Sequence, residues 1–405
     1  MQRHFALLVS TVAIVPLAHA QGCLPDGLIL TTQAQVNSFP NDHPGCTTIE
    51  GLLRIGQGNI TDLTPLAQLT AVGGYLHIGP NPQLTNVDGL ENITSVGGAL
   101  SITGNAQLSD LSGLSGITTV GGLMEVSANN NLTSLAGLQG ITSVGSYLQI
   151  SDSPGLTDLQ GLDGIESIGG DILISANPAL ASMQGLSPTS VGGGFSLMNN
   201  PQLMDLSAAS ELTSLGGALS LMGNTSILDL EELSGITSVN GLVRVTGSSG
   251  LMSLDGLRNI DASTILNLII INNPGLFQCA AENLCAYLGI PENLANITGN
   301  AAGCSSRTEV EEACTLLSVE EGLQDVGAIT VFPNPTNGTV IISAMLNGPV
   351  ELRLLNQVGR LLRTAQFQIN ADDPMLLDLA DLPPGAYVLQ LRANDRVVTR
   401  MVVRE

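Results

Sequence analysis

Two histidines, His43 and His77, follow the first 20 residues, and the chain has no lysine. A Ser-His-Asp or Cys-His arrangement would need one of them as its base. His43 lies between Asp42 and Pro44 in a segment that we expect to be a terminal cap, and His77 stands alone at an outward strand position. No GxGxxG or Walker pattern occurs. The sequence therefore predicts a protein that is not an enzyme and that uses no cofactor or metal ion.

Paired carboxylates on a β-helix would be the main enzymatic alternative, because such pairs cleave polysaccharides. One column of acids recurs 14 residues into its repeats: Asp110, Asp158, Asp205 and Asp229. Ser134 and Ser182 interrupt this column, and only Tyr75 and Tyr147 offer aligned aromatic platforms for a sugar. We interpret the acids as turn formers. Calcium binding stays an alternative, although the GGxGxD calcium repeat is absent.

The elements that would position a site come from an internal repeat. Val-Gly-Gly or a close variant recurs every 24 residues from Val72 to Ile168 and, after the loss of one residue, continues to Val239. Degenerate units begin at Ile49 and Thr264, which gives ten rungs. Because single units of this length cannot bury their own apolar face, the rungs must stack.

Each rung combines a short strand with a turning segment. Leu100 and Ile102 alternate with polar residues, so both point inward from a strand. After Asn105 the apolar positions are three residues apart, which suits a chain that turns around a core. The predicted fold class is mainly β, a parallel β-solenoid with rungs of about 24 residues.

A column of asparagines accompanies the repeat, nine residues after the first apolar position of each rung. An inward asparagine at a turn can satisfy backbone groups of its own and neighbouring rungs, so we predict a structural role. The column comprises Asn81, Asn105, Asn129, Asn177, Asn200, Asn224 and Asn273.

Six cysteines flank the repeats and predict disulfides in exported caps. Cys23 and Cys46 are expected to pair, whereas the pairing of the later four stays open: Cys279, Cys285, Cys304 and Cys314. We predict a signal peptide (1–20), an N-terminal cap (21–48), the solenoid (49–278), a C-terminal cap (279–319), a linker (320–328) and a C-terminal domain (329–405). The signal peptide rests on an apolar run from Phe5 to Leu17 followed by Ala18-His19-Ala20.

Charge and hydropathy exclude some classes of partner. Residues 21–319 carry 25 acids against four arginines, a net charge of −21. Such a body repels nucleic acid and anionic membranes. No stretch after the first 20 residues is long and apolar enough to predict a transmembrane segment.

The outward strand positions would form a flat sheet surface with apolar side chains, and such surfaces can bind partners. The candidate binding residues are Tyr75, His77, Leu123, Tyr147, Met198, Met222, Leu242 and Arg244, accompanied on the same surface by Glu125, Gln149, Leu173 and Ile269.

The pattern L-x-I-x-x-N-x-x-L-x-x-L over residues 46–315 resembles leucine-rich repeats, and more closely the receptor L-domain. The resemblance implies a right-handed solenoid that binds a ligand or partner on its surface, and it carries no catalytic residues. The few aromatics and many glycines depart from receptor examples, so the ligand does not carry over.

The C-terminal region resembles the type A sorting domain of the type IX secretion system of Bacteroidota. The resemblance is carried by Val331-Phe-Pro-Asn-Pro-Thr-Asn-Gly338, by 350–362, by Leu382-Pro-Pro-Gly-Ala-Tyr and by the closing segment 396–405. Its closing basic residues are arginines where lysines are usual. Alternating apolar residues and turns predict a small β-sandwich. The resemblance implies translocation across a Gram-negative outer membrane, and then surface attachment or release.

Together these features predict a secreted or surface-anchored binding or adhesion protein, whose partners are a protein or glycan ligand and the type IX secretion machinery. The alternatives are a polysaccharide-degrading enzyme and a structural component of a surface coat.

Overall fold

The computed structural model describes residues 22–320, 330–332, 334–343, 348–356, 360–369, 375–393 and 396–404. The predicted signal peptide and nearly all of the predicted linker lie outside the described residues. In the part described, no helix is long and apolar enough to cross a membrane.

Residues 22–298 form a parallel β-solenoid, which confirms the predicted fold class. Each of the first ten coils contributes one strand to each of two sheets, and the last two coils contribute a strand to only one of them. Consecutive coils are neighbours in both sheets. The ten-stranded sheet contains Gly22–Cys23, Thr48–Ile49, Ala71–Val72, Ser95–Val96, Thr119–Val120, Ser143–Val144, Ser167–Ile168, Ser190–Val191, Ser214–Leu215 and Ser238–Val239. The twelve-stranded sheet contains Leu28–Leu30, Leu53–Ile55, Leu76–Ile78, Leu100–Thr103, Met124–Ser127, Leu148–Ser151, Ile172–Ser175, Phe195–Met198, Leu219–Met222, Gly241–Thr246, Ile265–Ile271 and Ala295–Thr298.

The apolar repeat fills the space enclosed by each coil. Leu100 and Ile102 point inward and are fully buried, as predicted. The positions spaced by three are buried on the return side of the coil, where several coils make a single 3₁₀ turn. These turns are Thr64–Leu66, Ser112–Leu114, Ser207–Ala209, Glu231–Leu233 and Asp255–Leu257, and a further 3₁₀ turn, Ala262–Thr264, directly precedes the strand Ile265–Ile271. One continuous aliphatic core therefore runs along the solenoid axis.

The glycine pairs lie at the corner between the two sheets, where successive coils approach closely. A Cβ atom on Gly121 would collide with the backbone carbonyl oxygen of Gly97 in the preceding coil. The same close approach recurs between Gly145 and Gly121. The Val-Gly-Gly signature is thus a requirement for close stacking of the coils at this corner.

The seven predicted asparagines are all fully buried and form a ladder along the axis. The Oδ1 atom of Asn105 accepts a hydrogen bond from the backbone N–H of Asn81 at 3.0 Å. Its Nδ2 atom donates to the carbonyl of Ile78 at 2.9 Å, and its own N–H donates to Asn129 Oδ1 at 3.0 Å. These bonds satisfy backbone groups of neighbouring coils, as the predicted structural role of the column requires.

The two ends of the solenoid are closed by helices and disulfides. Residues 22–48 form a first coil of their own, in which the helix α1 (Gln33–Asp42) replaces the return loop and Cys23 is bonded to Cys46. At the other end, α2 (Glu282–Leu288) and α3 (Arg307–Glu320) flank the last strand. Here Cys279 pairs with Cys304 and Cys285 pairs with Cys314, which settles the pairing that the sequence left open.

The C-terminal residues form a separate pair of antiparallel sheets with a common apolar core. The three-stranded sheet contains Thr330–Phe332, Thr339–Ser343 and Met375–Asp378. The four-stranded sheet contains Gly348–Asn356, Leu361–Ile369, Gly385–Ala393 and Arg396–Arg404. Val340 and Ile342 of the first sheet share a core with Leu352 and Leu389 of the second, as the predicted small β-sandwich requires.

Candidate functional site

The outward side chains of the twelve-stranded sheet form a continuous surface, here termed the outer face. Parallel pairing without offset places equivalent residues of successive coils in straight columns. All of the candidate binding residues lie on this face: Tyr75, His77, Leu123, Tyr147, Met198, Met222, Leu242 and Arg244. Tyr147 is the most exposed of them, at 40%, whereas the others are partly covered by neighbouring side chains.

One part of the outer face is polar and already hydrogen-bonded. His77, Ser101, Glu125 and Gln149 occupy one column because their strands pair directly. His77 Nδ1 lies 3.2 Å from Ser101 Oγ, and Ser101 Oγ donates to a Glu125 carboxylate oxygen at 2.9 Å. The other carboxylate oxygen accepts from Ser127 Oγ at 2.9 Å. These contacts hold the Glu125 side chain in one orientation.

A parallel column lies beside the polar one and carries the two tyrosines. Tyr75, Ala99, Leu123 and Tyr147 precede the equivalent strands, and their carbonyls accept hydrogen bonds from Leu53, Leu76, Leu100 and Met124. The Tyr75 hydroxyl lies 3.1 Å from His77 Nδ1, and the two rings are stacked with centroids 5.6 Å apart. The tyrosine column and the polar column are therefore joined at their first coil.

His77 makes the stability of the folded chain depend on pH. Burial lowers the pKa of His77 below its ordinary value of 6.5, and the neighbouring Arg54 guanidinium acts in the same direction, against a hydrogen bond at Gly79 and the Glu125 carboxylate, which raise it. A histidine whose pKa is lowered by folding contributes stability that is present above 6.5 and is lost as the pH falls toward the folded-state pKa.

We expect the melting temperature of the parent chain to fall more than that of His77→Gln between about pH 7.5 and about pH 5.5, because only the parent must bury the new charge. Thermal denaturation followed by circular dichroism at the two pH values measures this difference. An equal fall in melting temperature in both chains would contradict the lowered pKa of His77.

The other part of the outer face is mainly apolar. Leu173, Met198, Met222 and Leu242 lie there and are half-buried, and Met198 and Met222 are direct neighbours in adjacent strands. Arg244 crosses this region, and its Nη1 atom lies 3.6 Å from the sulfur of Met222. These side chains are less exposed than the sequence alone suggested, because the side chains of adjacent coils, about 4.8 Å apart, cover part of each of them.

Sequence reasoning missed Ser101 and Ser127, which fasten Glu125, and Arg54, which adjoins His77. All three share the coil period with candidates that were found. Column alignment would have identified them, but serines in a repeat rich in serine and threonine carry little signal of their own.

The acidic column proves to be a row of turns. The carboxylates of Asp110, Asp158, Asp205 and Asp229 each accept a hydrogen bond from the backbone N–H two residues later. Ser134 and Ser182 make the same contact in the interrupting coils. Hydrogen bonds from Ser182 and Ser207 lower the pKa of Asp205, which makes it a poor proton donor.

His43 also has a structural setting, at the C-terminus of α1. Its backbone N–H caps the helix by donating to Phe39, and its ring lies 5.3 Å from the Phe39 ring. Across the residues that the structure describes, no cluster of three or more His, Cys, Asp or Glu side chains could hold a metal ion.

In the C-terminal sandwich, hydrogen bonds with Asn334 and Thr336 hold the last strand. Asn334 donates to the carbonyl of Met401 at 2.9 Å and accepts from the N–H of Val403 at 2.7 Å. The backbone N–H of Thr336 donates to the carbonyl of Val403 at 2.8 Å. The segment that follows Phe332 therefore clamps the strand Arg396–Arg404.

Residues 330–405 match the secretion system C-terminal sorting domain. This match supports the part of the predicted resemblance that concerns the type IX secretion system. The chain is therefore a protein exported by that system, either secreted or attached to the outer cell surface. No curated protein matches the sequence at a significant level.

Proposed function

We propose that the solenoid is a non-catalytic binding module of receptor L-domain type, which recognises a protein or glycan ligand at the cell surface and serves in adhesion. The observation that carries this proposal is the outer face: a sheet of twelve parallel strands whose outward columns carry tyrosines and methionines on an exported protein. A broad sheet surface with apolar and aromatic side chains is typical of an interaction site.

The chemistry of the acids and histidines supports the non-catalytic part of the proposal. Asp110, Asp158, Asp205 and Asp229 are each engaged in a turn. His77 touches a serine, but that serine is 1% exposed and donates its proton to Glu125, so it is badly placed to act as a nucleophile.

We expect that replacing both Met198 and Met222 with aspartate lowers adhesion to a protein or matrix ligand at least about tenfold, because two buried carboxylates would be left without partners at the interface. Adhesion of cells displaying the full chain to panels of matrix proteins and glycans measures the effect. Thermal denaturation establishes that the variant still folds.

The matched control is Ser190→Asp with Ser214→Asp, which adds the same two charges at exposed positions of the ten-stranded sheet. This control should adhere like the parent. Equal adhesion by both double variants and the parent would remove the part of the outer face around Met198 and Met222 as the binding site. Release of reducing ends from a bound glycan would favour the enzymatic alternative, and ordered self-assembly of the purified chain would favour the coat component.

A further inference from the structure

We propose that the stretch of the outer face between Tyr75 and Tyr147 binds a neutral oligosaccharide that lies along the solenoid axis. This inference rests on the proposed function and names the ligand class for one part of the same face. It is argued from three columns of side chains that run side by side over four coils.

The first column has an aromatic ring at each end and smaller aliphatic side chains between them. Tyr75 and Tyr147 are three coils apart, about 14 Å, with Ala99 and Leu123 between them. Tyrosine combines an apolar ring face with a polar hydroxyl, so it suits a ligand that is apolar on one side and wet on the other. The C–H faces of pyranose rings have this character, and several rings in a row span the distance.

The second column, with Glu125 and Gln149, and the third column, with Ser127 and Ser151, offer hydrogen-bonding groups at the same spacing. Glu125 presents carboxylate acceptors, and Gln149 presents both an acceptor and donors. Gln149 Nε2 donates to Ser151 Oγ at 3.1 Å, so this side chain is also held in place. Hydroxyl groups along one edge of a sugar chain would meet this row while the ring faces rest on the tyrosine column.

The network that holds these groups exists before any ligand binds. Contacts of 2.9 to 3.2 Å run from Tyr75 through His77, Ser101 and Glu125 to Ser127. Side chains fixed by their neighbours lose little freedom on binding, and such preorganisation improves affinity for a flexible, polar ligand.

The negative charge of the solenoid favours a neutral sugar over an anionic one. Residues 21–319 carry a net charge of −21, and Glu125 lies in the middle of the polar column. A polyanionic glycan would be repelled at long range by the body and at short range by this carboxylate. A neutral chain meets neither penalty. A protein partner is better suited to the apolar part of the outer face around Met198 and Met222, because protein interfaces concentrate apolar groups at their centre.

The test titrates the purified full chain with neutral oligosaccharides, namely cello-, xylo-, manno- and laminari-oligomers, and with oligogalacturonate as the anionic probe. Isothermal titration calorimetry should detect binding of at least one neutral series and no tighter binding of oligogalacturonate. Tyr147→Ala should weaken that binding about tenfold through loss of ring contact, whereas Tyr147→Phe should stay within about threefold. Because Tyr147 is exposed, neither change threatens folding.

A second pair of variants distinguishes this inference from the wider proposal. Glu125→Gln should weaken sugar binding, and Met198→Asp with Met222→Asp should leave it within about twofold of the parent. Absence of binding by every neutral series, or binding that Tyr147→Ala and Tyr75→Ala both leave unchanged, overturns the inference. If the methionine variant nevertheless loses adhesion to a matrix protein, the proposed function stands without the sugar site.

Discussion

Replacing Asn105 with alanine should lower the free energy of unfolding by about 2–4 kcal/mol. The N–H of Asn81 would lose its acceptor in a fully buried position, at a cost of about 1–3 kcal/mol, and the Ile78 carbonyl would lose one donor, worth about 0.5–1.5 kcal/mol. Because each coil is stabilised mainly by its neighbours, the defect acts on the coils on both sides. Denaturant unfolding followed by circular dichroism measures the loss.

An exposed asparagine of the next coil supplies the control. The exposed side chain of Asn131 donates to Gln107 on the surface, so Asn131→Ala should change stability by less than about 0.5 kcal/mol. A comparable loss in both variants would contradict a special role for the buried column.

The reciprocal variant repairs a gap in the ladder. Ser248 occupies an asparagine position, and its hydroxyl is buried without a hydrogen-bond partner among the described residues. Ser248→Asn would offer an acceptor to the N–H of Asn224 and link Asn224 to Asn273, as the neighbouring coils do. We expect a gain of about 0.5–1.5 kcal/mol from the restored bond.

The solenoid could be predicted from the sequence because its stabilising groups recur in phase. Leu100 with Ile102, the glycine pairs and the asparagine column each repeat at one period. A side chain that satisfies the same backbone groups in most coils leaves the same pattern in most repeats. The Cys23–Cys46 bridge could be predicted because no other cysteine lies near either residue in the chain.

Features that occur once could not be predicted in this way. The pairing of Cys279 with Cys304 depends on how α2 and α3 fold over the last coil, and spacing alone does not distinguish it from the other pairings. Residues 22–48 carry no clear repeat signature, yet they form a complete coil because α1 buries Val36 and Phe39 in place of the usual leucines. The polar network of the outer face joins residues of different types in different coils, so no single column predicts it.

Export of the chain should depend on its C-terminal domain. Ending the chain after residue 328 should reduce its appearance outside the outer membrane from the normal level to background, because residues 330–405 match the domain that the secretion system recognises. Fractionation of cells and protease treatment of intact cells measure the exported fraction. Surface display of the shortened chain at the normal level would contradict the role of this domain.

The shortened chain is a fair test because the two parts bury separate cores. The solenoid core runs from Leu30 to Val310, and the core of the sorting domain begins at Val340. The shortened chain should therefore retain the melting transition of the solenoid while losing export.

A point variant acts inside the sorting domain: Asn334→Ala removes both side-chain bonds that fasten the last strand at Met401 and Val403. If recognition requires that strand in place, Asn334→Ala should lower export while leaving ligand binding by the solenoid unchanged.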